Sequence, residues 1–370
     1  MLLLYTIVVL FSAYTILLLY YWWQWKNIPE FKPAAATPAV PFTVVIPARN
    51  EAGNIGALLE AVNAQDYPAA LRQVIVVDDH SEDDTAALAR RFSSVEVIVS
   101  GEAMVAFKKK AIETGIRAAK NDWILATDAD CVPGKNWMSA IAAFTAQHNS
   151  VFIAAPVVIS NKPSLLGFFQ AMDFMMLQAI TGAVVHNRSM SMCNGANIAY
   201  QKNAFDAVQG FSGIDNIASG DDMLLMYKIQ QQFPGRVHYI KSKDAIVSTA
   251  PAGSWKAFFS QRIRWASKAR QYQDQRILPV LVLVYLVNLS FLFVALAAIA
   301  DPSFLWWLGG MWLAKTLIES PLYISAAVFF NKKQTIPVFI FLQPLHILYT
   351  IISGTFSQFG KYEWKGRKLK

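Results

Sequence analysis

The stretch WILATDADCVPG, residues 123–134, runs from apolar residues into two carboxylates one residue apart, then a cysteine and a Pro-Gly turn. Such an apolar run reads as a strand, 123–130, covered on both faces. Asp128 and Asp130 then fall where that strand leaves its sheet. FTVVIP (42–47), QVIVVDD (73–79) and VEVIV (95–99) share the pattern, and helix-like segments lie near 53–65, 83–92, 105–119 and 136–147. Alternation of this kind predicts an α/β domain, a sheet with right-handed crossovers and helices on both faces. Ligands of such sheets bind at the carboxyl ends of the strands. IPARNE, VVDDHSEDD and TDADC all fall at those ends.

The flanking sequence is of another kind. Of 370 residues, 55% are hydrophobic and 16% charged, and the mean hydropathy is positive. A membrane protein with a substantial soluble part fits this balance. Residues 2–25 carry no charge and end in an aromatic cluster before Lys26, which predicts a transmembrane anchor over 1–26. A cleaved signal peptide is the alternative; the absent basic start and the length of the run speak against it. A Pro/Ala linker, 27–41, leads into the α/β domain, 42–252.

The apolar character returns from Ile277, where 277–300, 304–330 and 335–356 are each long enough to span. With a cytoplasmic α/β domain, three spans would leave the basic tail, 357–370, outside, against the positive-inside preference. One segment is therefore expected to be re-entrant or interfacial, and 335–356, interrupted by Gln343-Pro344, is the candidate. The stretch 164–185 contains Asp173 and two Gln, and a crossing there would separate TDADC from the polar motifs after it. It is read as an amphipathic helix on the membrane surface.

The net charge of +8 is concentrated in that tail, KYEWKGRKLK, which carries five Lys/Arg against one Glu. This suits the anionic cytoplasmic leaflet of an inner or plasma membrane. No basic face interleaved with aromatics is present, so nucleic acid is excluded as a partner. Cys131 and Cys193 lack the spacing of a disulfide framework or zinc site, and the five His lack HxxxH or HExxH spacing.

Two carboxylates on a turn suit a hard divalent cation and the diphosphate it bridges, because Mg²⁺ and Mn²⁺ combine a few carboxylates with substrate phosphates. Asp78 and Asp79 also close an apolar strand, and Arg49-Asn50-Glu51 follows strand one at the same edge. Each group taken alone is also a reasonable helix cap. NGAN (194–197), SGDD (219–222) and QRIRW (261–265) come later, the last within an aromatic and basic segment, 253–276, that reads as an interfacial helix.

This ordered set, VVIPARNEAGN, VVDDHSEDD, a Lys-rich stretch ending AIETG, TDADC, NGANIAY, GDDMLL and QRIRW, resembles the membrane-bound family 2 glycosyltransferases of GT-A fold. That group includes cellulose, chitin, hyaluronan and poly-N-acetylglucosamine synthases and ceramide glucosyltransferases. The resemblance covers about residues 42–270. It implies an inverting, metal-dependent transfer from a UDP-sugar to a lipid or a growing polysaccharide. Glu51, Asp78 and Asp79 would contact the uridine. Lys108 would stand where the family motif has its Lys, although Phe107 replaces the motif's Gly and Glu113 its Asn. Asp128 and Asp130 would hold the sugar nucleotide with Mg²⁺ or Mn²⁺. Asp222 would be the general base, with Asp221 in place of the family's Glu. Gln261 and Arg264 would approach the diphosphate, and Trp265 would lie under the acceptor sugar. The competing class is a non-catalytic nucleotide-sensing scaffold or transporter, to which Lys315 and Glu319, four apart in an apolar segment, give a foothold.

Overall fold

The computed structural model describes residues 2–33, 38–101, 105–160, 163–217, 219–358, 362–364 and 367–369. Parts of the expected linker 27–41 and tail 357–370 lie outside the described residues. The first half of the chain runs α1 (Leu2–Asn27), β1 (Phe42–Ala48), α2 (Ile55–Asn63), β2 (Arg72–Asp78), α3 (Thr85–Ala89), β3 (Val95–Val99), α4 (Phe107–Ala118), β4 (Trp123–Ala126), β5 (Cys131–Pro133), α5 (Trp137–Gln147), β6 (Phe152–Ala154) and β7 (Val157–Ile159). There follow α6 (Leu165–His186), β8 (Ile198–Gln201), α7 (Lys202–Ala207), α8 (Met223–Gln232), β9 (Val237–Tyr239), β10 (Val247–Thr249), α9 (Trp255–Ser267), α10 (Ile277–Ala300), α11 (Phe304–Phe329) and α12 (Phe339–Phe356). The chain divides into two compact units, one built on Pro29–Ser160 and Val185–Ala250, the other on Met1–Ile28, Asn161–Val184 and Pro251–Tyr362.

The first unit holds a seven-stranded sheet in the order β3-β2-β1-β4-β8-β6-β9 and a three-stranded sheet, β5-β10-β7. β3, β2, β1 and β4 are mutually parallel, as their apolar runs predict. β8 then runs antiparallel between β4 and β6, and β9 is parallel to β6. This half was not foreseen, because strands of three or four residues are too short to display a period. β1 and β2 are buried almost throughout. β3 is not: it is the outer strand, its residues are half-buried or exposed, and the expectation of two covered faces fails there.

The strand expected over 123–130 ends at Ala126. The Thr127 hydroxyl donates to the Ala196 carbonyl at 2.9 Å. The Cys131 amide then closes a turn onto the Asp128 carbonyl at 3.1 Å. The chain re-enters as β5 in the other sheet, so Asp128 and Asp130 belong to the turn between two strands. Helix α4 lies close against β1 and β2: a Cβ at Gly115 would stand 2.5 Å from a Val45 methyl and 3.0 Å from a Val77 methyl.

In the second unit, Ile7 of α1, Phe291 and Val294 of α10, Met311 of α11 and Ile347 of α12 form one buried cluster. Among the described residues, four helices are long and apolar enough to cross a membrane: α1, α6, α10 and α12. This differs from expectation twice. Helix α11 is long enough, but Lys315, Thr316, Glu319 and Ser320 interrupt its apolar sequence. Helix α6, read as amphipathic, is instead 72% buried over its most apolar window, and it has no open polar face of the kind a surface helix requires. Pro344 sits inside α12 without ending it. The outward faces of α1, α10 and α11 remain apolar, with Leu2, Ile299 and Trp306 each more than four-fifths exposed.

Candidate active site

The loops after β1 and β2 are joined by side chains. Arg49 Nη1 donates to the carbonyls of Asp79 (2.8 Å) and His80 (2.7 Å), and its Nη2 meets Glu82 at 2.9 Å. Asn50 and His80 both take left-handed backbone conformations, φ 51° and 54°. The Asn50 amide donates to the Ser81 hydroxyl at 3.0 Å, and its side-chain oxygen accepts from the Glu82 amide at 2.8 Å. The Glu51 carboxylate accepts from Asn54 Nδ2 at 2.6 Å. Ala48, Asp78 and Val99 are in register across the three strands. That register places Glu51, Asp78 and Asp79 at one sheet edge, all buried. Both oxygens of Asp78 face the Ser81 amide at 3.4 Å.

The second cluster is built around Lys108, in the first turn of α4. Its ammonium lies 2.6 Å from Asp128 and 3.1 Å from Asp221. Burial alone would pull the pKa of Lys108 down, but the carboxylates of Asp128, Asp221 and Asp222 outweigh it and hold the lysine charged, above its ordinary value. Gly220, with φ +78°, turns the chain into this pair of acids. Asp222 caps α8: one carboxylate oxygen accepts from the Met223 amide at 2.7 Å, the other from the Gly195 amide at 2.9 Å. Each oxygen retains a lone pair beyond that bond. A Cβ on Gly195 would stand 3.3 Å from Asp221 and 3.5 Å from Lys108, so the glycine admits the loop to the cluster.

Asp130 accepts from the Cys131 thiol at 3.6 Å. Burial first, then the charges of Asp128 and Asp130, push that thiol's pKa well up. Cys193 is raised in the same way by burial, Asp222 and Asp221. Both cysteines are free and protonated, unsuited to thiolate chemistry. Among the described residues no group of three His, Cys, Asp or Glu converges as a complete cage for an ion. A hard pair of carboxylates on one turn fits an ion shared with a diphosphate, the arrangement Mg²⁺ and Mn²⁺ favour.

The structure thus brings Lys108, Asp128, Asp221 and Asp222 together, with Asp130 on the same turn as Asp128, and gathers Glu51, Asp78 and Asp79 at the sheet edge. Gln261, Arg264 and Trp265 lie on α9 in the helical unit, each half-buried. Sequence reasoning places Arg49 at this edge but assigns it no role, since it acts through carbonyls no pattern displays. It missed Lys109, whose ammonium holds the carbonyls of Ile214 (2.6 Å) and Ile217 (2.7 Å) in the approach to GDD. Asn197 of NGAN is structural: it bonds Trp137, Pro156 and Ala245.

Residues 43–209 match the model of the family described as Glycosyl transferase family 2. The chain is 36% identical over 107 residues to the glycosyltransferase AglE of Haloferax volcanii, covering 28% of this chain and 34% of that protein. It is 23% identical over 301 residues to the beta-monoglucosyldiacylglycerol synthase of a Synechocystis species, covering 71% and 60%. The matches therefore span from about a third to three-fifths of these relatives' own lengths. In fold, the chain resembles a mannosyltransferase of Pyrobaculum calidifontis solved with GDP-Man and Mn²⁺, with a TM-score of 0.58, 18% identity, and 96% and 99% of the two chains covered. Residues 43–209 are thus similar to glycosyl transferase family 2, and the chain shares its fold with a solved mannosyltransferase.

Proposed function

We propose that this protein is a membrane-bound glycosyltransferase that moves a sugar, with inversion, from a UDP-sugar to a lipid or growing polysaccharide. The observation that carries the reading is the convergence of TDAD and GDD on one lysine, with Asp128 and Asp221 both bonded to Lys108 and Asp222 beside them. In this reading Glu51, Asp78 and Asp79 receive the uridine. Lys108 and Asp128 orient the donor, and Asp130 with Asp128 would hold Mg²⁺ or Mn²⁺. When bound, such an ion neutralises the departing diphosphate. Asp222, fixed by two backbone amides, takes the proton of the acceptor hydroxyl. Gln261 and Arg264 approach the diphosphate, and Trp265 lies under the acceptor sugar. The apolar outward faces of α1 and α10 support an integral membrane protein, with the catalytic domain on the cytoplasmic side. A relative named for a glucosyldiacylglycerol product supports the lipid acceptor.

The test is nucleotide release by purified full-length protein from a panel of UDP-sugars, with GDP-mannose as the competing donor, with and without Mn²⁺. Release from one UDP-sugar that requires the metal is the expected result. Tight nucleotide binding with no release from any donor would return the protein to the class of sensing scaffolds. Labelled sugar recovered from membranes as one organic-soluble product identifies a lipid acceptor, and high-mass material a polysaccharide.

A further inference from the structure

Arg262, an interior residue of QRIRW, is only 3% exposed. Its Nη2 lies 2.8 Å from Asp173 Oδ2 on α6 as an ion pair, while Nε and Nη1 make no hydrogen bond. The guanidinium group lies against three aromatic rings instead. Its central carbon is 4.2 Å from the ring centroid of Trp265, 4.9 Å from that of Phe258 and 6.0 Å from that of Phe174. A buried arginine that forgoes hydrogen bonds to lie against a tryptophan fixes the ring by stacking, which the round ammonium of lysine does not reproduce.

Asp173 is itself held. His346 Nε2 of α12 faces its other oxygen at 3.8 Å, and the Tyr349 hydroxyl bonds the same carboxylate. His346 Nδ1 meets the Lys315 ammonium at 3.3 Å. An ammonium only donates, so Nδ1 accepts and the ring proton sits on Nε2, towards Asp173. Lys315 bonds Glu319 at 2.5 Å and Gln343 at 2.7 Å. Tyr14 and Gln343 each donate to Glu319 at 2.5 Å. Polar side chains from α1, α11 and α12 thus lead to within 3.8 Å of the α6 carboxylate that pairs with Arg262.

We propose that Arg262 is a positioning residue for Trp265, and that Asp173, with His346 and Lys315 behind it, locks Arg262 in place from the apolar helices. This rests on reading Trp265 as the acceptor platform. The geometry explains why Asp173 and Lys315 occur in segments otherwise suited to a membrane. A charge buried beside hydrocarbon is costly unless paired, and here Asp173 pairs with Arg262 and Lys315 with Glu319.

The test uses full-length protein labelled with 5-fluorotryptophan. The chain has eleven tryptophans, and the resonance missing from Trp265→Phe identifies Trp265. Arg262→Lys and Asp173→Asn are expected to shift or broaden that resonance while those of Trp306 and Trp307 hold. In membranes, Arg262→Lys should lower labelled-sugar transfer by about 100-fold, the usual consequence of roughly ångström misplacement. A Trp265 resonance unmoved in Arg262→Lys, or one that moves with transfer unchanged, overturns the proposal. Where Asp173→Asn loses its fold, seen as collapse of all resonances, Tyr349→Phe replaces it and should move the Trp265 resonance by less. If the wild type turns over no nucleotide sugar, the enzymatic reading fails, and the fluorine spectra still decide whether Arg262 places Trp265.

Discussion

Lys108 and Lys315 both sit against carboxylates, and their surroundings differ. Lys108 meets Asp128 and Asp221 with Asp222 adjacent, its side chain 23% exposed and that of Asp128 33%. Lys315 is fully buried; Glu319, its one carboxylate partner, has every remaining bond directed to Tyr14 and Gln343. The first cluster has more acids than bases and opens to solvent. The second is balanced and closed. An excess of like charge at an accessible sheet edge destabilises a fold unless a ligand completes it, whereas a balanced buried pair asks for nothing from outside.

The largest effect should come from Asp222→Asn, which removes the proposed base and keeps one of the two amide bonds the carboxylate accepts. Turnover falls about 10²–10⁴-fold, while nucleotide affinity by calorimetry holds. Next is Lys315→Met, which leaves Glu319 buried and uncompensated. A loss of about 3–5 kcal/mol follows, read as a lower midpoint of thermal unfolding in detergent, and Lys315→Met with Glu319→Leu recovers most of it. The same logic is weaker at Lys108 if the clusters differ as described, because Asp128 remains near water. Asp130→Ala removes a carboxylate from the open cluster. It should abolish the Mn²⁺ dependence of nucleotide binding and leave the metal-free affinity in place. The smallest effect is Gly195→Ala, whose methyl would press on Asp221 at 3.3 Å. A cost within about 1 kcal/mol is expected, seen as a few-fold fall in turnover with an unchanged unfolding midpoint.

The sequence displayed the parallel half of the sheet because β1, β2 and β4 are covered on both faces and so read as unbroken apolar runs. It hid β6, β8 and β9, which are too short to carry a pattern. The acids of the open cluster were visible because they end runs or sit in motifs. Their convergence was not, since it depends on α4 delivering Lys108 to loops that lie 20 and more than 100 positions along the chain. Arg262 escapes notice for another reason: the motif QRIRW points to Gln261, Arg264 and Trp265, and nothing in the spacing joins Arg262 to Asp173. Lys315 and Glu319 were recognised as a pair, but nothing in the spacing links them to His346.

Gly115 gives the open cluster its tolerance. The clearance between α4 and the two strands beneath it is smaller than a methyl group, so the helix has one seat on the sheet. Lys108 lies seven positions earlier, two turns along the same face, and its height above the strand ends is set by that seat. An apolar clearance of less than one methyl, two turns away, is therefore the gauge for an ammonium that must reach two carboxylates at once. A side chain at 115 would detune the charges without touching any of them.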